Sequence, residues 1–402
     1  MKILIIGGGF GGIYTAVNLS KNFKNQKDMQ ITLVNQTNYF LFTPLLHEVA
    51  TGSLSPLSTA EPIREILRGT NIEFIQTTVT NIDKDTQQVS TTTGHLNYDY
   101  LVIATGSKTN FYHIDDTTVF ELKNLRQAVN LKNHLIDKIE LSTSTKNLEE
   151  KNKLTTFVIV GGGATGVELA AELAGFTCQT MIKKYYHPTS SKLGQIKIYL
   201  INSNHTLLPH LNSKIQTIAT KTLIKKGIIL KLGTKVEDCT NNQVTLSSGE
   251  KISTNTIIWT AGVLPHHPNT DTGHKRIEVN DFLQDLNHLN VFALGDVAGQ
   301  ENRAPMLAQV ATKQGAVVAK NIEALINDKK LTSFKFKSQG TLLSLGTWNA
   351  VGEIGGFVIS GRFTWWLWRT IYLFKFMSWR KRFRIMAEWT VNLFFPRDIT
   401  KI

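Results

Sequence analysis

The chain has 402 residues, 42% of them hydrophobic, and a formal net charge of +13. That length accommodates two or three domains with a large core, and the composition is that of a globular protein, neither disordered nor polytopic. Its two cysteines, Cys178 and Cys239, form no C-x-x-C pair and no metal-ligand spacing, which argues against a disulfide framework and a metal centre and fits a reducing compartment.

Met1-Lys2 leads directly into an apolar strand, Ile3–Ile6, so no cleavable leader is expected. Gly7-Gly8-Gly9-Phe10-Gly11-Gly12 follows, then a helix over Ile13–Asn22 and a strand over Ile31–Val34. This is a βαβ unit with a G-x-G-x-x-G turn. Gly7 permits the tight turn, Gly9 lets backbone approach a pyrophosphate, and Gly12 allows close helix–strand packing. The phosphates would meet the unpaired N–H groups at the helix N-terminus. The second strand should end in an acid that binds ribose hydroxyls; here it ends in neutral Asn35.

The run Tyr98–Ser107 reads as a strand ending in a small-residue turn, where Thr105 and Gly106 let backbone pass close to a cofactor. Lys138 to Thr155 is polar and reads as a helix end and linker. A second fingerprint, Gly161-Gly162-Gly163-Ala164-Thr165-Gly166, follows the strand Phe157–Val160, 154 residues after the first. Gly161, Gly163 and Gly166 take the same three roles. The strand Ile198–Ile201 ends in Asn202, again in place of an acid, and a second strand-to-turn exit runs from Thr256 to Gly262. Two such loops imply two dinucleotides on one chain, and hence electron transfer between them.

Val291–Asp296 is a strand delivering Gly295-Asp296 at its carboxyl end, suited to a flavin's ribityl chain and phosphates. The helix after it, from about Pro305 to Ile326, would return the chain to the first domain. The expected architecture is therefore α/β. Two Rossmann-like dinucleotide-binding domains are expected, the first discontinuous (1–115 and 270–330) and interrupted by the second (116–269), followed by a C-terminal membrane-association region (331–402).

The tail differs in character. Phe363–Met377 contains Trp365, Trp366, Trp368 and Tyr372 but also Arg369 and Lys375, too short and too charged to span a bilayer. Between Ile354 and Ala387 there are seven Arg or Lys and no acid, including Arg380, Lys381 and Arg382. Ile385, Met386, Trp389 and Leu393 share a helical face, with Arg384, Glu388 and Asn392 opposite. Aromatic face and basic rim together predict a helix lying in the plane of an anionic membrane; the alternative is that these aromatics are core or a dimer interface. Nucleic acid is a poorer partner, because the basic residues sit among Trp and Phe.

The residues converge on a family. The chain resembles the type II NADH dehydrogenases, single-subunit NADH:quinone oxidoreductases, over essentially its whole length. The resemblance rests on the opening GGGFGG, Leu41–Leu46, Ala104-Thr105-Gly106, Gly161–Glu172, Trp259–Gly262, Leu294-Gly295-Asp296, Ala308–Gly315 and the aromatic tail. It implies electron flow from NADH through tightly bound FAD to a membrane quinone, without proton pumping. It also implies a peripheral position on the cytoplasmic face of a bacterial-type inner membrane or the equivalent organellar face; a homodimer is left open.

Carried over by position, Gly7, Gly9, Gly12, Asn35, Thr43, Pro44, Thr105, Gly295 and Asp296 would contact FAD. Gly161, Gly163, Gly166, Glu168, Asn202 and Gly262 would line the nicotinamide nucleotide site. Ala308, Gln309 and Gln314 would lie near the flavin ring and quinone entrance. Glu168 and Gln309 are the expected catalytic residues, Glu168 beside the nicotinamide and Gln309 bonding the flavin or a quinone carbonyl. Trp365, Trp366, Trp368, Arg380, Lys381, Arg382 and Trp389 would meet the membrane.

Three departures from the family pattern stand out. Asn35 and Asn202 replace acids, the second leaving NADH or NADPH open as donor. Lys313 stands where Gln is usual, and either shapes the quinone pocket or points to solvent. The rival readings are a sulfide:quinone or disulfide reductase, which needs paired reactive cysteines; a ferredoxin-type reductase, which leaves the tail unexplained; and a nucleotide-binding flavoprotein sensor without turnover.

Overall fold

A computed structural model describes all residues except 25, 27, 186–194, 241, 269–274, 301–303 and 402. The chain forms two compact units. The first comprises Met1–Leu41, Ala60–Lys108 and Val263–Lys337; the second comprises Phe42–Thr59, Thr109–Gly262 and Ser338–Ile402.

The first unit is built on a five-stranded sheet in the order Val291–Ala293, Tyr100–Ile103, Lys2–Ile6, Gln30–Asn35, Ile72–Gln76. All neighbours are parallel. The strands read as continuous apolar runs because both faces of such a sheet are covered. The helices Phe10–Asn22 and Ala308–Ile326 pack together, bringing Ile13, Leu19 and Val318 into a fully buried core with Ile5, Leu33 and Val102. A Cβ on Gly315 would lie 2.9 Å from the Gly11 carbonyl oxygen, so the absence of a side chain sets how near these helices come.

The second unit repeats the plan. Its sheet runs Phe120–Glu121, Thr256–Trp259, Thr156–Val160, Lys197–Asn202, Ile228–Leu232, again parallel. In both units a three-stranded antiparallel meander comes between the strand after the βαβ unit and the strand returning to the sheet: Val79–Asn97 in the first, Val236–Ser253 in the second. The sequence shows the duplicated glycine turns; the structure shows that the duplication extends over the whole unit.

The second unit also carries an antiparallel sheet of Thr341–Ser344, Ala350–Ile354 and Phe357–Ser360, followed by helices Arg362–Lys375 and Trp379–Phe394. None of the described helices is long and apolar enough to cross a membrane.

Three expectations change. The polar stretch after Lys138 is not a linker. One helix runs Leu125–Ser144 and another Leu148–Leu154, the latter capped by Asn147, with Leu154 buried and the polar residues forming a solvated face. The segment Phe42–Thr59, expected with the first nucleotide-binding domain, clusters with the second unit, because His47, Glu48, Val49 and Ala50 are buried there. The expected boundary at 269–270 lies outside the described residues.

Candidate functional site

The two glycine loops have the same construction. Gly7 and Gly161 take φ of +108° and +115°, which a residue with a Cβ rarely adopts. A Cβ on Gly12 would lie 1.8 Å from the Gly7 carbonyl oxygen, and one on Gly166 1.9 Å from that of Gly161. These four glycines are demanded by the protein's own packing. Gly9 and Gly163 are different: a Cβ on either would meet nothing within 4 Å. Each is the N-cap of the following helix, with no side-chain cap and no acid in its first turn. Open space in front of unpaired N–H groups fits the pyrophosphate of a dinucleotide in each unit.

Asn35 and Asn202 hold these loops in place. Asn35 Oδ1 accepts the Gly8 N–H at 2.8 Å, and its Nδ2 donates to the Thr37 carbonyl and hydroxyl at 2.9 and 3.0 Å. Asn202 Oδ1 accepts the Gly162 N–H at 3.1 Å, and its Nδ2 donates to the carbonyls of Asn204 and Thr206 at 3.3 and 2.8 Å. Both amides are used within the loop. A carboxylate could accept from glycine but could not donate to carbonyls, which is a physical reason for Asn where an acid was expected.

In the first unit Thr105 Oγ1 donates to the His266 carbonyl at 2.5 Å. Ser107 Oγ donates to Asp296 Oδ2 at 2.6 Å, and the Gly295 N–H donates to Gln314 Oε1 at 2.7 Å. Gln314 is buried, so it orients the Gly295-Asp296 turn. Ala308 and Gln309 are half-buried in the first turn of the same helix. Lys313 donates to the Lys337 carbonyl at 2.7 Å and lies over the Phe336 ring, and so fastens the segment leaving the unit.

In the second unit Gly262 is exposed at φ +74°. Thr43 is exposed and Pro44 half-buried at the start of the Phe42–Thr59 segment. Glu168, expected on the nucleotide surface, is buried and accepts the Ser344 N–H at 3.0 Å. It belongs to a cluster that sequence reasoning missed. Glu172, four residues on, pairs with Arg397 at 2.6 Å and accepts from Ser53 at 3.4 Å. Glu48 accepts the Trp389 indole N–H at 2.6 Å. Arg369 is sandwiched between the rings of Trp365 and Trp389, 3.7 and 4.8 Å from their centroids. The one sequence signal was a pair of acids at i and i+4 in the otherwise apolar run VELAAELA.

Burial governs the ionisation of this cluster. It pushes Glu168 up to about 8 and Glu48 up to about 7, the latter against the pull of Arg369. It pushes His47 down to about 4. Burial also works against the charged form of Glu172, but the Arg397 guanidinium prevails and holds that carboxyl below its usual range. The 3.9 Å approach of His47 to Glu168 is therefore a contact of two largely neutral groups at pH 7 and not an ion pair. Among the described residues His47 Nε2 and Arg369 Nε and Nη1 have no hydrogen-bond partner.

The tail corrects the membrane assignment. Trp365, Trp368 and Trp389 are 1%, 0% and 4% exposed and form core, as does Ile385. The face opposite is engaged too: Glu388 accepts from Ser55 N and Ser58 Oγ, and Asn392 donates to the Ser53 carbonyl. Lys381 donates to the Leu57 carbonyl, and Arg382 to those of Phe374 and Phe376, leaving Arg380 as the exposed cation of the three. The exposed stripes are others. One helix shows Phe363, Trp366 and Phe374 (75%, 48% and 60% exposed); the other shows Trp379, Phe383, Met386 and Phe394, with Trp379 at 65%. Helical spacing alone could not tell the buried aromatic face from the exposed one.

The pyridine nucleotide-disulphide oxidoreductase family matches residues 1–315, and the NDH2 C-terminal domain matches residues 338–398. A probable NADH dehydrogenase of Dictyostelium discoideum is 31% identical over 99% of this chain and 91% of its own. The chain belongs to the pyridine nucleotide-disulphide oxidoreductases, as a type II NADH dehydrogenase. The type II NADH:quinone oxidoreductase of Mycobacterium tuberculosis is 29% identical over 98% of this chain and 89% of its own.

Among solved structures, NDH2 from Plasmodium falciparum in complex with NADH superposes with a TM-score of 0.90 at 22% identity, covering 100% of this chain and 99% of that one. The sulfide:quinone oxidoreductase of Aquifex aeolicus shares the fold at a TM-score of 0.77 and 19% identity, over 98% and 95% of the two chains. This type II dehydrogenase lacks the cysteine pair that sulfide or disulfide chemistry needs. Cys178 and Cys239 are both free, and burial pushes the Cys239 thiol up to about 12, far from a reactive thiolate.

Proposed function

We propose that the chain transfers electrons from NADH, through FAD, to a membrane quinone, without pumping protons. The observation that carries the reading is the duplicated unit: two uncapped helix N-termini, each behind a glycine loop whose middle glycine faces open space. Family membership gives the pair its chemistry.

In this reading the first loop, Gly7, Gly9 and Gly12, receives the FAD pyrophosphate, with Asn35 holding the loop. Thr105, Gly295 and Asp296 complete that site within the first unit. Asp296, oriented by Ser107 and by the grip of Gln314 on Gly295, offers a carboxylate oxygen to a ribityl hydroxyl. Gly161, Gly163, Gly166 and Gly262 receive the nicotinamide nucleotide, and Ala308 and Gln309 face the flavin ring and quinone. FAD, when bound, supplies a two-electron carrier able to accept hydride and pass electrons on. Quinone reduction consumes protons, and Glu168 and Glu48, each with a carboxyl titrating near neutrality, are groups that can hold them.

The exposed stripes led by Trp366 and Trp379, with Arg380 and Lys375 beside them, support a monotopic seat on an anionic membrane; by resemblance to the family this is the cytoplasmic face of a bacterial-type inner membrane or the equivalent organellar face. The test is purified protein assayed for NADH oxidation with and without a quinone, with the released flavin identified by chromatography. FAD together with quinone-dependent turnover is expected. Tight NADH binding without turnover would refute the reading.

A further inference from the structure

We infer that the nucleotide site of the second unit admits a 2′-phosphate, so that NADPH serves as donor alongside NADH; this rests on the proposed function. An acid at the end of the second strand of a dinucleotide fold binds the ribose 2′-hydroxyl and repels a 2′-phosphate. Here that residue is Asn202, and its amide does neither. Its oxygen holds Gly162 and its nitrogen holds the carbonyls of Asn204 and Thr206.

Discrimination therefore falls to the turn that follows, Ser203-Asn204-His205-Thr206, which is exposed throughout and contains no acid. The turn Gly233–Lys235 packs beside it, the Gly233 N–H donating to the Asn204 carbonyl at 3.0 Å and the Thr234 N–H to that of Asn202 at 3.2 Å. His205 lies against Gly233, where a Cβ would be 2.5 Å from its Nδ1, and Lys235 is exposed. Glu250 reaches the neighbouring strand Ile228–Leu232 only as the partner of Lys231, at 2.8 Å, and the exposed acids Glu237 and Asp238 lie beyond the turn, on the strand Val236–Thr240.

The surrounding sequence is one-sided. From Leu173 to Val236 no Asp or Glu occurs in 64 residues, which include ten lysines. A phosphate dianion at the end of the Lys197–Asn202 strand thus meets two turns that carry no fixed negative charge and one exposed cation, Lys235.

The experiment compares adenosine 2′,5′-bisphosphate with 5′-AMP, ligands differing only in the 2′-phosphate, by calorimetry on the flavin-loaded protein at low and high salt. The bisphosphate is expected to bind more tightly, its advantage shrinking as salt screens the field. In parallel, kcat/KM for NADPH is expected to exceed about one-tenth of that for NADH, and His205→Glu to lower that ratio by about tenfold. Weaker binding of the bisphosphate than of 5′-AMP, or an NADPH ratio below about one-tenth, overturns the inference. Failure of NADH itself to turn over with quinone would instead overturn the proposed function, and the binding comparison would still decide this inference.

Discussion

The Trp389 indole N–H donates to the Glu48 carboxyl at 2.6 Å, joining the last helix to the Phe42–Thr59 segment inside the second unit. The same ring covers Arg369. The tryptophan that sequence pattern assigned to a membrane thus serves a buried polar cluster. Trp389→Phe keeps much of the ring packing and removes the donor. The expected loss is about 1–3 kcal/mol, the cost of an unmet buried polar group, read as a lowered Tm in thermal unfolding. An unchanged Tm would mean that this bond carries no net stability.

The buried carboxyls predict a pH dependence with a definite sign. Glu168 and Glu48 have folded values raised above 4.5, so their contribution is fully present below that pH and is lost as pH rises through about 7 to 8. His47 and His134 are depressed by burial to about 4, so their contribution is present above 6.5 and is lost below it. Between pH 6.5 and 8, Glu168 and Glu48 set most of the slope among the described residues. Stability should fall between pH 6.5 and 8, by about 1.4 kcal/mol per pH unit for each proton released. Denaturant unfolding across this range should show the fall, and Glu168→Gln should reduce it; a flat wild-type profile would contradict the assignment.

Gly9→Val and Gly163→Val separate ligand from fold. A Cβ at either position meets nothing within 4 Å, so the apoprotein should unfold at close to the wild-type temperature. Gly9→Val should lose bound flavin, read from the visible spectrum. Gly163→Val should keep the flavin and raise the KM for NADH, by about tenfold or more. Gly12→Ala, whose Cβ would lie 1.8 Å from a carbonyl oxygen, should instead damage the fold. Loss of flavin in Gly163→Val with retention in Gly9→Val would reverse the assignment of the two sites.

These glycines were legible because their roles are local: each is fixed by a turn, a close approach or an open face within a few residues. The duplicated parallel sheets were legible for a related reason, since strands buried on both faces are apolar along their length. The cluster of His47, Glu48, Glu168, Glu172, Arg369 and Arg397 was not, because it gathers side chains from four separate stretches of chain. The two asparagines were expected to face the nucleotides in place of acids, since a loop-holding amide and a ligand-binding one look alike in sequence.

Membrane attachment is best tested without truncation. Removing residues from Phe363 onward would also remove Trp365, Trp368, Trp389 and Arg397, which are core. Combined Trp366→Ser, Trp379→Ser and Phe383→Ser substitutions fall on exposed positions and should leave the fold intact. Co-sedimentation with vesicles containing anionic lipid should drop by about tenfold or more, since each buried aromatic contributes on the order of 1.5–3 kcal/mol. Undiminished sedimentation would move the attachment surface elsewhere.

If one chain carries two nucleotides that exchange electrons with a quinone, anaerobic titration of the flavin-loaded protein will follow the transfer step by step. One equivalent of NADH per flavin should bleach the flavin absorbance, and a following addition of quinone should restore it. NADH that binds without bleaching, or bleached flavin that quinone leaves unchanged, would contradict that exchange.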